Sequence, residues 1–285
     1  MLSFDDPRLT LPDGGERTRL QVNAGVAAMR KVPEPDATQI SQVLHGETVL
    51  LHHEEGEFGL VQCDGDRYVG WVLMEALSAP VLVPTHRIMT ARLHTYAEPK
   101  ITAAPHFVLG TGAALASTGE RDGRYLKFER AGWVADHLVA PIEALETDPV
   151  AVAERFLGTP YLWGGRDCLG MDCSGLVQIA FGACGVIAPR DSDMQFHWFG
   201  EPIENWQSPG QLQRGDLIFW DGHVGFMTDA ETLLHVNGTF MTTMTEPLIP
   251  AIERIANEYG EPIGARRVRV SDLKGVAPEW FTPQA

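Results

Sequence analysis

Residues 161–185 read YLWGGRDCLGMDCSGLVQIAFGACG, a glycine-rich loop that runs straight into an apolar segment. Cys173, Leu176, Val177, Ala180 and Cys184 fall at i, i+3, i+4, i+7 and i+11, so they share one face of a helix. Cys173 then sits in the first turn. Unpaired N–H groups and the helix dipole favour an anion there and lower a thiol pKa toward the nucleophilic thiolate. The same N–H groups can hold a developing oxyanion. Gly170 and Gly175 leave room for backbone and substrate to approach closely. Taken alone, a cysteine at the start of a buried helix is more often a packed core residue.

A nucleophilic cysteine needs a base, and two of the ten histidines stand in a β context. Residues Asp216 to Trp220 predict a strand, Asp221-Gly222 a tight hairpin turn, and His223 to Met227 the return strand. A second turn at Asp229-Ala230-Glu231 leads into a third strand, Thr232 to Val236. If that second loop has three residues, His235 falls opposite Gly225, a diagonal neighbour of His223 at roughly 7–8 Å between Cα atoms. The register makes His223 a base with His235 as its orienting partner. It also puts Asn237 directly opposite His223, where it competes for the orienting role. A two-residue loop would turn His235 to the other face. Cys168 and Cys173 with His223 and His235 could instead form a Cys2His2 zinc site, but zinc histidine pairs usually sit closer in sequence. No metal or cofactor is expected.

The chain ahead of this segment has a β texture. Val49-Leu50-Leu51, Gly59-Leu60-Val61 and Gly70-Trp71-Val72 are strand-like runs between turn residues. Gly70-Trp71-Val72 recurs as Gly132-Trp133-Val134, and Glu34-Pro35 as Glu98-Pro99, at offsets of 62 and 64 residues. The repeat predicts two small β-barrels with Trp71 and Trp133 in their cores. The expected organisation is a loose N-terminal arm at 1–16, barrels at 17–80 and 81–144, and an α+β domain at 145–285. That domain opens with a helix from Asp148-Pro149 over Val150 to Leu157, ended by Gly158.

Charge and cysteine usage narrow the function. With 22 Lys+Arg against 38 Asp+Glu the chain carries −16, which repels a nucleic-acid backbone. No run approaches the ~20 apolar residues of a membrane span, and Asp5 and Asp6 interrupt any export signal. The expectation is a cytoplasmic protein with no nucleic-acid and no membrane partner, its four cysteines kept reduced. The sequence sets no oligomeric state.

The residues resemble the NlpC/P60 family of cell-wall cysteine peptidases, which have a papain-like fold. The resemblance rests on Gly158-Thr159-Pro160-Tyr161-Leu162-Trp163-Gly164-Gly165, Asp172-Cys173-Ser174-Gly175-Leu176-Val177-Gln178, Arg214-Gly215-Asp216-Leu217-Ile218-Phe219, Gly222-His223-Val224-Gly225 and His235, in the family's order. It implies Cys173 as nucleophile, His223 as general base and His235 as third polar residue, favoured by the family over Asn237. Asp172 and Ser174 match positions that help hold a substrate's free amine in related enzymes.

With two SH3-type barrels and the run from Pro189 to Gln195, the chain is similar to the subgroup that trims cell-wall peptides inside the cell. That subgroup cuts the γ-D-glutamyl bond to the diamino acid in free L-Ala-γ-D-Glu-diamino acid peptides, releasing L-Ala-D-Glu. The implied partner is thus a small cell-wall peptide, and Tyr68 matches a tyrosine of the amine pocket. The acidic residue that some relatives carry in the first barrel has no clear match; Val32 falls near its place. Arg190 could pair a substrate carboxylate. The competing structural roles are a helix cap for Asp172, an ion pair for Arg190, a barrel-core ring for Tyr68 and a core position for Trp163. A thiolate–imidazolium pair is expected at neutral pH. A non-catalytic cell-wall binding protein and an acyltransferase on the same fold are the alternative functions.

Overall fold

The structure is a computed structural model that describes residues 5–15 and 17–281. It divides into two compact units, Asp5–Leu145 and the chain from Glu146 onward.

The first unit is all β apart from two 3₁₀ turns. Its first sheet contains β1 (Thr18–Val22), β2 (Val26–Arg30), β3 (Gln39–Leu44), β4 (Thr48–Glu55), β5 (Phe58–Cys63), β6 (Val69–Leu73) and β7 (Leu77–Ser78). Their order is β3-β2-β6-β5-β4-β1-β7, and every pairing described is antiparallel. Alternation along the strands drives Met29, Val43, Val49, Val61 and Val72 fully inside. Gly70 is glycine for a packing reason: a Cβ there would lie 2.4 Å from the Met29 side chain.

The remainder of this unit contains β8 (His86–Ile88), β9 (Arg92–Tyr96), β10 (Pro105–Gly110), β11 (Ala114–Leu115), β12 (Ser117–Asp122), β13 (Tyr125–Phe128), β14 (Gly132–Ala135) and β15 (Val139–Pro141). They form a five-stranded and a three-stranded sheet around Leu93, Leu109, Leu115, Phe128 and Val134. The sequence repeat has a structural echo. A 3₁₀ turn, Met74–Ala76, follows β6 and leads into β7, and another, Asp136–Leu138, follows β14 and leads into β15.

Two expectations are corrected here. Trp71 and Trp133 are half-buried rather than core: Trp71 meets the edge of His53, and Lys127 lies over Trp133. Residues 5–15 are not a loose arm. Leu9 is fully buried, its carbonyl accepts a 2.6 Å bond from Gln62, and the Arg8 carbonyl accepts from the Val69 N–H. Apolar burial and backbone pairing outweigh the freedom that the Pro/Gly texture suggested. Positions 1–4 and 16 of that arm lie outside the described residues.

The second unit mixes helix and strand. Helix α1 is Pro149–Glu154, with Asp148 capping through bonds from the Val150 and Ala151 N–H groups. It is shorter than the expected run to Leu157, because the chain turns over Arg155–Gly158 and Gly158 has φ +82°. A small ribbon, β16 (Arg166–Asp167) and β17 (Gly170–Met171), precedes α2 (Cys173–Ala183), and α3 (Ser192–Trp198) follows. The main sheet holds β18 (Glu201–Pro202), β19 (Leu217–Trp220), β20 (His223–Met227), β21 (Thr232–Asn237), β22 (Thr242–Pro247) and β23 (Gly264–Arg267), in the order β18-β23-β19-β20-β21-β22. Helix α4 (Leu248–Tyr259) packs Leu248, Ala251 and Ile255 on Ile218, Trp220, Met227 and Leu233. Phe181 of α2 instead meets Phe226, which alternates with Met227 and so faces the other way. The short α5 (Val270–Leu273) closes the unit. Among the described residues no helix is long and apolar enough to cross a membrane.

Candidate active site

Helix α2 starts on a tightly built base. Asp172 is its N-cap: Oδ1 accepts from the Gly175 N–H at 2.7 Å, and Oδ2 from the Gly164 N–H at 2.9 Å. Arg190 closes on the same carboxylate in a bidentate pair, 3.0 Å to Oδ1 and 2.7 Å to Oδ2. Its Nη1 also donates to Ser174 Oγ at 3.0 Å, and its side chain is only 1% exposed. Gln195, from the Pro189–Gln195 run, donates to the Ser174 and Pro189 carbonyls, each at 2.9 Å. Gly175 lets the helix lie against the loop, since a Cβ would fall 2.2 Å from the Gly165 carbonyl oxygen. The close approaches at Gly170 and Gly175 are therefore to the protein's own atoms, Leu162 and Gly165.

This base presents Cys173 to the tip of the β19–β20 hairpin. The turn is the expected Asp221-Gly222, with Trp220 paired to His223 and Gly222 at φ +78°. The Cys173 sulfur lies 3.9 Å from the Gly222 carbonyl oxygen, and the N–H groups of Ser174 and Val224 point at it. The sulfur thus lies against the backbone on both sides of His223. Further along, Phe226 pairs with Leu234 and Met227 with Leu233, the register of a three-residue loop. Asp229 fixes that loop by accepting from the Glu231 and Thr232 N–H groups. Gly225 faces His235 with no space for a side chain: a Cβ would stand 3.0 Å from the His235 Cβ and 2.7 Å from Leu233 Cδ1.

The outcome is a chain of side chains. His223 Nε2 and His235 Nδ1 are 2.8 Å apart, and His235 Nε2 is 2.7 Å from Glu246 Oε1. Arg254 of α4 forms an ion pair with Glu246. Asn237 Nδ2 lies 3.3 Å from the same Glu246 oxygen, so Asn237 does not take the orienting bond to His223. With Nε2 of His223 engaged, Nδ1 is the nitrogen left for the thiol. Both nitrogens of His235 have partners, and Cys168 bonds Asp167 Oδ2 at 3.6 Å, an arrangement unlike the zinc alternative. Tyr259 stacks over His223 with ring centroids 6.4 Å apart.

Burial opposes charge on Cys173 and His223 alike. It pushes the Cys173 thiol up to about 12, with Asp172 adding to the effect, while the Val224 and Ser174 N–H groups and Arg190 pull the other way. It pulls His223 down to about 3, helped by His235 and Arg254. Burial therefore favours a thiol and a neutral imidazole over the ion pair expected from the helix terminus, since desolvation acts against the dipole. Cys173 keeps 9% of its surface exposed, enough to meet a substrate.

A sequence profile of the NlpC/P60 family matches residues 158–253, and one described as the bacterial dipeptidyl-peptidase SH3 domain matches 29–77. A gamma-D-glutamyl-L-lysine dipeptidyl-peptidase of Bacillus subtilis is 30% identical over 224 residues, covering 68% of this chain and 71% of the relative. The chain belongs to the NlpC/P60 family. It is a cysteine peptidase of that family with an SH3-like domain ahead of the catalytic one. Dipeptidyl-peptidase 6 of Lysinibacillus sphaericus is 27% identical, covering 76% of this chain and 88% of its own. An NlpC/P60 protein of Bacillus cereus shares the fold at 20% identity and a TM-score of 0.73, with 88% of this chain and all of that one aligned.

Within the NlpC/P60 domain, the structure brings Cys173, His223 and His235 together, and it puts Asp172, Ser174 and Arg190 directly beneath the cysteine. Arg190 is corrected: its guanidinium is turned inward onto Asp172 and Ser174, because a buried carboxylate requires a matched cation. Asp172 carries the cap that competed with its amine-binding role. Tyr68 belongs to the N-terminal unit, buried just before β6, with its N–H donating to Asp66. Trp163 is corrected from core to surface at 62% exposure. Glu246 was missed altogether. The signal was present, because carrying the β pairing one strand further sets Glu246 opposite Leu233, diagonal to His235 on one face.

Proposed function

We propose that the protein hydrolyses the γ-D-glutamyl bond to the diamino acid in free peptides such as L-Ala-γ-D-Glu-diaminopimelate. Cys173 attacks the γ-carbonyl of D-Glu as His223 takes the thiol proton. The backbone N–H of Cys173 helps hold the oxyanion, and His223 returns the proton to the departing amine. Water releases L-Ala-D-Glu from the acyl-enzyme. His235 holds the ring of His223. Ser174 and the charge of Asp172 form the surroundings of the substrate's amine. In this reading the catalytic half is papain-like, and residues 17–80 and 81–144 are successive SH3-like barrels. The repeated strand–3₁₀–strand ends support the second barrel. Peptide recycling in the cytoplasm belongs to the same reading.

The observation that carries the proposal is a thiol at a capped helix start, against the backbone of a histidine whose far nitrogen is held at 2.8 Å by a second histidine. Incubation with L-Ala-γ-D-Glu-diaminopimelate is expected to release L-Ala-D-Glu, and Cys173→Ala to lower the rate by about 10⁴-fold. No release, with Cys173→Ala binding sacculi as well as the parent does, would mark a binding protein instead. Lipid deacylation without peptide cleavage would mark an acyltransferase.

A further inference from the structure

We propose that Glu246 is a positioning residue for this hydrolysis: it sets the direction of the Glu246–His235–His223 hydrogen-bond chain, so that His223 meets the thiol with an unprotonated Nδ1. The inference rests on Cys173 and His223 as the reacting pair.

The direction follows from donor counting. Asn237 Oδ1 accepts from the Thr239 N–H at 2.7 Å and the Phe240 N–H at 3.2 Å, which fixes the amide and turns the donor Nδ2 toward both Glu246 Oε1 at 3.3 Å and His235 Nε2 at 3.2 Å. Arg254, from α4, can only donate. Facing these donors, Glu246 is held below the usual carboxylate range by His235 and Arg254, against burial, which acts to raise it. An ionised carboxylate only accepts, so His235 Nε2, 2.7 Å away, carries a hydrogen. When His235 carries only that hydrogen, its Nδ1 is bare and accepts from the His223 Nε2–H at 2.8 Å. That leaves the lone pair of His223 on Nδ1. The opposite order would set two lone pairs against each other at His235 and Glu246. When Cys173 gives its proton to His223 Nδ1, the imidazolium keeps its Nε2–H bond to His235, and no proton needs to reach Glu246.

Removing the acceptor reverses this order. Asn237, Arg254 and His235 all meet the one oxygen Oε1, so Glu246→Gln, with its carbonyl at that point, keeps the order. Glu246→Ala leaves the Asn237 Nδ2–H, 3.2 Å away, as the donor facing His235 Nε2. His235 must then carry its hydrogen on Nδ1, and His223 on Nδ1 as well, with a proton facing the thiol.

The ¹⁵N spectra of histidine-labelled protein read this directly. Expected are Nε2–H tautomers for His223 and His235 in the parent, and an Nδ1–H tautomer for His223 in Glu246→Ala. On the peptide, Glu246→Ala should lose about 10²-fold in kcat with KM within about twofold, and Glu246→Gln, which keeps the acceptor oxygen, should recover to within about tenfold of the parent. An Nδ1–H tautomer for His223 in the parent overturns the proposal without any variant. So does a folded Glu246→Ala with unchanged tautomers, or with kcat within about twofold of the parent. If the parent does not cleave this peptide, the substrate assignment fails by itself, and the tautomers still decide the role of Glu246.

Discussion

At the scale of single residues, the site depends on atoms that are absent as much as on those present. Gly225 lets His235 reach His223, and a methyl group there would strike both the His235 backbone side and Leu233. Gly225→Ala is therefore expected to cost about 1–3 kcal/mol of stability and to lower kcat, measured by denaturant unfolding and peptide turnover. Unchanged stability and turnover would refute the packing argument. His235 was legible in advance because a three-residue turn and strict alternation determine which side chains meet. Glu246 was not read, because its partner strand lies beyond a further loop and glutamate on a strand is usually a solvated residue. The inward turn of Arg190 was equally hidden: an arginine eighteen positions from its partner carries no periodic mark of whom it will meet.

At the scale of elements, the start of α2 is where sequence and structure agree most closely. Its face, its cap and its glycine approach all follow from local rules. The exception is the charge state of Cys173, where burial, a property of the whole packing, overrides the helix terminus. The Arg190–Asp172 pair is structural, so Arg190→Met should destabilise the protein by about 3–5 kcal/mol by stranding a buried carboxylate. Thermal unfolding measures this. A variant that melts like the parent but shows a raised KM would return Arg190 to the substrate. Helix α1 shows the reverse limit. Its cap and the Gly158 stop were readable, but the helix proper ends earlier, at Glu154, before a turn whose Gly158 N–H bonds the Thr243 carbonyl.

At the scale of the whole molecule, each unit carries a histidine whose pKa is lowered by burial: His45 in the first and His223 in the second. On unfolding they regain an ordinary value near 6.5. Below it the unfolded chain binds protons that the folded chain refuses, so this contribution is full above about pH 6.5 and shrinks as pH falls. Glu246, held low, adds its own loss only further down, as pH drops through the carboxylate range. Melting followed from pH 7.5 to 5.5 should show a falling Tm, by about 2–4 °C for each kcal/mol lost; a flat profile would contradict it. The domain texture was legible because β alternation and helix caps are local signals, whereas the docking of Leu9 depends on a surface made by distant strands. In the catalytic unit, the Gly165–Gly175 approach makes the floor under the thiol unforgiving, while Trp163, Phe240 and Met241 stand in solvent on nearby loops. Anyone retargeting this enzyme to other peptides would do best to randomise those outer rings and chains, where new shapes can be tried at little cost to folding.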